Sequence, residues 1–569
     1  MATKKASTTT KPAAAKPAGK SASKATTAAK TATEPTVKPA PKAAQASKKP
    51  AAAVKPAVKP AEKPAAAAKP AEKPASKAEA TAKATQKPAA KPETKKILFV
   101  CSEAFPFAGT GGLGEVMGSL PRAINGKKAG YEARIILPLY EAFPQSERSK
   151  LQFMCHINVP LAWRNQYCGL FKLDHNGTVY YFIDNEYYFK RPNLYGYYDD
   201  GERFAFLSRA VVELIPHLDF KPDVLHCQDW QTALVPVYYK LFYMYREGFG
   251  GIKTIFTIHN IEYQGKYSRS IIEDVFGIPD SQYMSIEHRG CINLMKGAID
   301  YSDAISTVSP TYAREIMDPY YAHGLENVLL KNSHKLRGIL NGIDVDSYNP
   351  RTQPALFAHY DEKDLSGKRK GKEELQKMLS LPVAPDTPII AIISRLVGHK
   401  GLDLVRMCMN DILKRNVQVV LLGKGDPDYE NYFAHVQKMY DKKFSAVIAF
   451  NKDLSHKIYA GADIFLMPSK SEPCGLSQMM ACRYGTVPVV RETGGLADSI
   501  IDCYNGDIGN GFRFARYAAD DMMAAIDRAV GLYADYKDKW AGLMYRAMTT
   551  DFTWEQSAGE YIKFYADVL

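Results

Sequence analysis

The chain has no C-x-x-C pair and no run of about 18 apolar residues. Its first 96 residues contain no Leu, Ile, Phe, Tyr or Trp. Each absence excludes something. The nine cysteines, at positions 101, 155, 168, 227, 291, 408, 474, 482 and 503, are odd in number and scattered, which argues against a disulfide framework and against a zinc site. A reducing cytoplasm is their natural compartment. Without a long apolar run, nothing is expected to span a membrane. The N-terminus also lacks the apolar core of a secretory signal and the arginines of a transit peptide.

The opening segment consists of Lys, Ala, Pro, Thr and Ser in loose K-P-A and E-K-P-A repeats. Without large apolar side chains it cannot offset the entropy lost on ordering, so residues 1–95 are expected to be a disordered tail. The segment 1–96 carries 22 Lys and five Glu, a net +17, against +13 for the whole chain, so the remainder carries −4. The basic character thus belongs to the tail, and no nucleic acid is expected as a partner of the folded body. The tail itself reads either as a solvated, proline-spaced linker or as a polyanion-binding arm.

Beyond the tail, short β-rich apolar runs alternate with longer helical patterns, the signature of parallel α/β architecture. One series of strands covers ILFV at 97–100, ARIILP at 133–138, DVLHC at 223–227, TIFTIH at 254–259 and AISTVS at 304–309. A second covers PIIAIIS at 388–394, VQVVLLG at 417–423, AVIAF at 446–450, DIFLMPS at 463–469 and VPVV at 487–490. These predict two Rossmann-like domains, 96–345 and 385–535, with their parallel sheets facing a central cleft. A charged connection over 346–384 joins them, and a helical segment over 536–569 is expected to pack back toward the first domain.

Ligands of such sheets lie beyond the carboxyl ends of the strands. After the first strand comes FAGTGGLGEVMGSLP, with a literal G-x-G-x-x-G in Gly109, Gly111 and Gly114. Eight residues intervene between Val100 and Gly109, too many for the tight turn of a dinucleotide loop. The first acid after the next strand, Glu141, is 27 residues beyond Gly114, where about 20 is usual. A nicotinamide-dependent oxidoreductase is therefore disfavoured, and the loop reads as backbone N–H groups and a helix N-terminus offered to another anion. TGGL recurs at Thr493, Gly494, Gly495 and Leu496, before a helix expected from Ala497, so that the two loops would face each other across the cleft. Arg395 and Lys400 follow a strand and supply the charge a diphosphate needs. Glu472 sits at another strand end, in SEPCGLSQ, where a carboxylate can accept hydrogen bonds from hydroxyl groups or serve as a helix-end charge. Cys474 in the same turn has no His nearby in sequence to make it a nucleophile. In the first half, Asp229 follows DVLHC, and His259 and Asn260 end or follow TIFTIH.

With these motifs in order, the body from about Lys96 to Leu569 resembles the bacterial glycogen synthase and plant starch synthase family. SEPCGLSQMMACRYGTVPVVRETGGLADSI is close to that family's hallmark block, and HCQDWQ, TIHN, TVSPTYAREI, LNGIDVDSYNP and SRLVGHKGLDLV support it. The resemblance implies a GT-B fold and a retaining glucosyltransferase that passes glucose from a nucleotide sugar to the 4-hydroxyl at the non-reducing end of an α-1,4-glucan. ADP-glucose is the favoured donor, with UDP-glucose open. It assigns Arg395 and Lys400 to the leaving diphosphate, Glu472 and His259 to the transferred glucose, and Asp229 to the neighbourhood of the acceptor hydroxyl. It places Gly109, Thr110, Gly111, Gly112, Asn293, Phe450, Cys474, Gly475, Leu476, Thr493, Gly494 and Gly495 around the donor, with Phe450 stacking on the base. It implies no metal and no cofactor. The sequence departs from the family at Gly109, where a lysine is usual, at Glu115, where Asp is common, and at His399, where Gln often stands. The first departure keeps a non-catalytic glucan-binding protein as the alternative.

Overall fold

The computed structural model describes residues 94–504 and 506–569; apart from Thr94 and Lys95, the tail expected over 1–95 lies outside the described residues. Two sheets carry the body. The first has nine strands: β1 (Lys95–Val100), β2 (Tyr131–Pro138), β3 (Gln152–Leu161), β4 (Arg164–His175), β5 (Thr178–Asp184), β6 (Val224–Gln228), β7 (Lys253–Ile258), β11 (Ala304–Thr307) and β12 (Leu336–Gly338). A ribbon of three short strands lies between β7 and β11, namely β8 (Lys266–Tyr267), β9 (Glu287–His288) and β10 (Cys291–Asn293). The second sheet has six: β13 (Ile389–Ile393), β14 (Gln418–Gly423), β15 (Phe444–Ile448), β16 (Ile464–Met467), β17 (Val487–Arg491) and β18 (Phe512–Phe514).

The strand orders locate the site. The first sheet runs β12-β11-β7-β6-β1-β2-β5-β4-β3, parallel except for the β3–β4–β5 meander at one edge. From β1 the chain builds outward through β2 and returns to place β6 on the other side of β1, so the order reverses between β1 and β6. The second sheet, β15-β14-β13-β16-β17-β18, is parallel throughout and reverses between β13 and β16. Crevices open at such reversals, beyond the carboxyl ends of the two strands. The glycine loop and Asp229 follow β1 and β6, while Arg395, Lys400 and Glu472 follow β13 and β16.

Burial on both sheet faces explains why the central strands are continuous apolar runs, such as Ile97–Val100 and Ile389–Ile392. The meander was not anticipated, because β3 and β4 leave many residues exposed and are interrupted by polar ones.

The charged stretch at 362–374, expected as connection, is mostly helix Ser366–Met378, packed against helix Lys452–Gly461. Two of its lysines, Lys368 and Lys372, are buried, while Lys363 and Lys370 are exposed. Lys368 Nζ is buried and donates to the carbonyls of Ala460 (2.9 Å) and Tyr484 (3.1 Å) and to Thr486 Oγ1 (2.9 Å). The carbonyls at these two helix ends lack intrahelical donors, and the ammonium supplies one to each. Lys372 pairs with Asp463 at 2.8 Å.

The last segment divides between the two domains. Helix Lys537–Thr549 packs against helices Ser477–Arg483 and Ala519–Asp535 of the second domain. Helix Trp554–Val568 lies on helix Gly112–Gly126 of the first and buries Trp554, Ala558, Tyr561 and Tyr565, spaced as one helical face, into the core around Ile97 and Phe99.

Candidate active site

The glycine loop turns into helix Gly112–Gly126 with Gly111 as N-cap, and Gly111 and Gly112 are exposed. A Cβ added to either would meet nothing, so the helix N-terminus is open to an anion. The loop is fastened from below by Glu103, whose carboxylate accepts from the Thr110 backbone N–H (2.7 Å) and hydroxyl (2.8 Å). Thr110 is thus occupied by the protein itself. A Cβ on Gly109 would lie 2.7 Å from the far edge of the Phe105 ring, so a longer residue there displaces that ring.

Across the second sheet's reversal, Lys400 Nζ lies 2.9 and 2.7 Å from the two carboxylate oxygens of Glu472, which also accepts from Ser469 Oγ at 2.9 Å. Glu472 is buried. The lysine expected at the phosphate and the glutamate expected at the sugar are thus paired with each other in this structure, so the lysine charge is matched by the glutamate. Arg395 is exposed and has no ion-pair partner among the described residues, which leaves it as the cation free to meet an anion. His399 Nδ1 is 4.0 Å from Glu262 of the first domain, and burial, reinforced by Lys400, holds its pKa below the usual range.

The second TGGL is not an open cradle. The helix it begins is Gly494–Ser499, three residues earlier than expected, and Thr493, Gly494 and Gly495 are all buried. Glu315 of the first domain fills the place an anion would take. Its carboxylate accepts from Thr493 Oγ1 (2.8 Å) and from the Gly494 N–H (3.0 and 3.1 Å). The Gly495 N–H is spent on the carbonyls of Glu472 and Pro473, both at 3.1 Å. Gly494 has φ +44°, and a Cβ there would collide with the Glu472 carbonyl oxygen. These glycines support the Glu472 loop from behind and do not line the cleft as expected. Neighbouring bonds join the same loop to the first domain, Ser309 Oγ to the Pro473 carbonyl (2.7 Å) and Thr311 to Asp498 (2.7 Å).

Asn293, expected near the sugar, is engaged by the protein itself. It is fully buried as the N-cap of helix Leu294–Tyr301, with its Oδ1 bonded to the Lys296 N–H and its amide to Gln264. Cys474 is buried and its thiol is pushed up to about 12 by that burial, so it is no nucleophile. Gly475 and Leu476 sit half-buried in the turn before helix Ser477–Arg483. Phe450 lies two residues past β15 and is 91% exposed, with its ring at the sheet's carboxyl edge.

In the first domain Asp229 adopts φ +58°, a left-handed conformation costly for a non-glycine residue. Its Oδ1 accepts from the His259 N–H (2.8 Å) and, more weakly, from that of Asn260 (3.4 Å), tying the loop after β6 to the loop after β7. Burial pushes its pKa up to about 7, with the Glu103 charge adding to the rise and those two N–H groups opposing it. His259 is held down to about 3 by burial. Its Nε2 is 2.8 Å from Gln228 Oε1. Sequence reasoning missed Glu103, Gln228, Ser469 and Glu315. Gln228 alone carried a signal, being the polar last residue of a buried strand beside Asp229.

The crevice thus offers an open helix end, a free guanidinium, a buried carboxylate, a neutral imidazole and an exposed aromatic face. That set can hold a diphosphate, a polyhydroxy compound and a planar base. The chain matches the family of starch synthase catalytic domains over residues 96–331 and that of group 1 glycosyl transferases over 376–539. Glycogen synthase of Desulforamulus reducens is 45% identical over 478 residues, covering 83% of this chain and 99% of that protein. Glycogen synthase of a Bacillus cereus strain is 47% identical over 477 residues, with 83% and 99% covered. The catalytic domain of starch synthase IV from Arabidopsis thaliana, solved with ADP and acarbose bound, is similar at a TM-score of 0.78 and 34% identity, covering 84% of this chain and 99% of that one. Sucrose-phosphate synthase from Thermosynechococcus elongatus shares the fold at a TM-score of 0.52 and 16% identity, with 83% and 99% covered.

Proposed function

The chain belongs to the glycogen synthase and starch synthase family of GT-B glucosyltransferases, and from that premise we propose that its crevice transfers glucose from ADP-glucose to the non-reducing 4-hydroxyl of an α-1,4-glucan, with retention. The observation that carries the proposal is the coincidence of both sheets' reversal points with the family's motif residues: Asp229 and the glycine loop at one, Arg395, Lys400 and Glu472 at the other.

In this reading the diphosphate lies between the open end of helix Gly112–Gly126 and Arg395. The bond from the glucose C1 to the diphosphate oxygen breaks with its electron pair going to the diphosphate, and the acceptor O4 bonds to C1 on the same face. The proton of that hydroxyl passes to the departing diphosphate. Arg395 and, once Glu472 engages the sugar, Lys400 meet the growing negative charge, a role worth roughly 3–4 kcal/mol per donor in comparable sites. Glu472 accepts hydrogen bonds from ring hydroxyls, His259 faces the same sugar, and Asp229 stands on the acceptor side. Phe450 stacks on the base. ADP is favoured over UDP because the starch synthase relative was solved with ADP.

Among the described residues all nine cysteines are unpaired and no helix is long and apolar enough to cross a membrane. The free thiols support a reducing cytoplasm as the compartment. The proposal is tested by incubating the protein with ADP-glucose and a maltooligosaccharide and following the anomeric protons. Growth of α-1,4 signals supports it, whereas β-linked product or free glucose alone contradicts it.

A further inference from the structure

Gln228 ends β6 and is buried. Its carboxamide stands between two groups of opposite demand. The Nε2 end is 3.1 Å from the backbone carbonyl oxygen of His226, which can only accept, so that end is the NH₂ and Oε1 faces His259. A carbonyl oxygen also only accepts, so the His259 Nε2, 2.8 Å away, carries the hydrogen. The assignment follows from the backbone carbonyl and needs no choice of amide orientation. His226 is itself fixed, with Nδ1 2.9 Å from the Tyr565 hydroxyl and Nε2 2.6 Å from Thr257 Oγ1.

The His259 imidazole is neutral at pH 7, since burial holds it down to about 3. With its one proton at Nε2, Nδ1 is a bare lone pair. No described residue donates to it, and the ring is half-buried at the crevice end of β7.

We propose that Gln228 locks His259 in the Nε2–H tautomer, so that Nδ1 accepts a hydrogen bond from one hydroxyl of the transferred sugar, making Gln228 a specificity-determining positioning residue. The inference rests on the glucosyl-transfer reading and deepens it. A donor lacking that hydroxyl leaves the acceptor unpaired in the loaded crevice, the kind of mismatch by which polar sites reject analogues.

The test uses the full chain with ¹⁵N-labelled histidine. His259 resonances are assigned by their loss in His259→Asn and read on ligand-free enzyme, so the tautomer is decided separately from any transfer. The wild type should show protonated Nε2 and bare Nδ1. Gln228→Leu should show a mixture of tautomers, and Gln228→Glu, whose acid form reproduces both bonds, should restore the wild-type signal. With ADP-glucose analogues each lacking one hydroxyl, the wild type should reject one of them on the order of 100-fold in kcat/KM. Gln228→Leu should shrink that discrimination at least about 10-fold, through kcat more than KM, and Gln228→Glu should recover it. A protonated Nδ1 in the wild type, or unchanged discrimination in a Gln228→Leu protein that is folded by circular dichroism, overturns the inference. Failure of transfer from every donor would instead count against the proposed function.

Discussion

Lys400, half-buried, and Glu472, buried, form an ion pair, with Nζ 2.7 Å from the nearer carboxylate oxygen, at the point where the second sheet reverses its strand order. Removing one partner of such a pair costs about 3–5 kcal/mol, because the other is left uncompensated. Lys400→Ala, which strands the buried Glu472, is expected to lower stability by about that amount, Glu472→Ala by less because the half-buried Lys400 can turn to solvent, and the double variant by less than the sum, measured by denaturant unfolding as a double-mutant cycle.

Asp229 gives the reaction its expected pH dependence. With a folded pKa raised to about 7, it is protonated in the folded state over a range where the unfolded chain is ionised. Its contribution to stability is therefore present below about pH 4 and lost as pH rises through 7. Activity should run the other way, since the ionised carboxylate accepts a stronger, charge-assisted hydrogen bond from the acceptor hydroxyl than the neutral acid does. The kcat/KM for glucan should rise through an apparent pKa near 7, and Asp229→Asn should abolish that limb while flattening the stability profile.

The Gly109 departure can be reversed. A lysine there must push the free edge of the Phe105 ring aside, since its Cβ would start 2.7 Å from that ring. The added cation would meet the diphosphate proposed at the open helix end, and a charge-assisted hydrogen bond is worth about 1.5–3 kcal/mol. Gly109→Lys is expected to lower the KM for ADP-glucose about 10-fold, and adding Phe105→Ala to lower it further, in initial-rate measurements.

Glu315 reaches the Glu472 loop from the other domain, through Thr493 and Gly494. Glu315→Ala leaves a buried hydroxyl and a buried N–H without their acceptor, at about 1–3 kcal/mol. Thermal unfolding should record that loss, and kcat should fall more than KM because the residue supports the loop and does not touch substrate in the proposed arrangement. Glu315→Gln, which keeps one acceptor oxygen, should recover part of both.

Much of this architecture was legible in the sequence because parallel strands buried on both faces are continuous apolar runs; Ile389–Ile393 and Val487–Arg491 could be read within a residue or two. The β3–β4–β5 meander was not, because exposed residues such as Phe153 and Tyr167 break the alternation that would announce it. Helix Ser366–Met378 was hidden by Lys368 and Lys372, whose charges suggested solvent and are buried instead on carbonyls and Asp463. In the site, Glu472, Arg395, Asp229 and His259 were recognisable because they follow strands. The second TGGL misled for a physical reason: its composition suits an anion cradle, and the carboxylate that occupies it comes from Glu315, 178 residues away from Thr493. Contacts between distant segments leave no local trace.

The most direct measurement of the central claim is transfer of labelled glucose to glycogen from ADP-glucose and from UDP-glucose in parallel, with Glu472→Ala as control. The account expects incorporation from ADP-glucose, far less from UDP-glucose, and a loss of at least about 100-fold in the variant. No incorporation from either donor by folded protein, or incorporation that survives Glu472→Ala, would contradict it and bring the glucan-binding alternative forward.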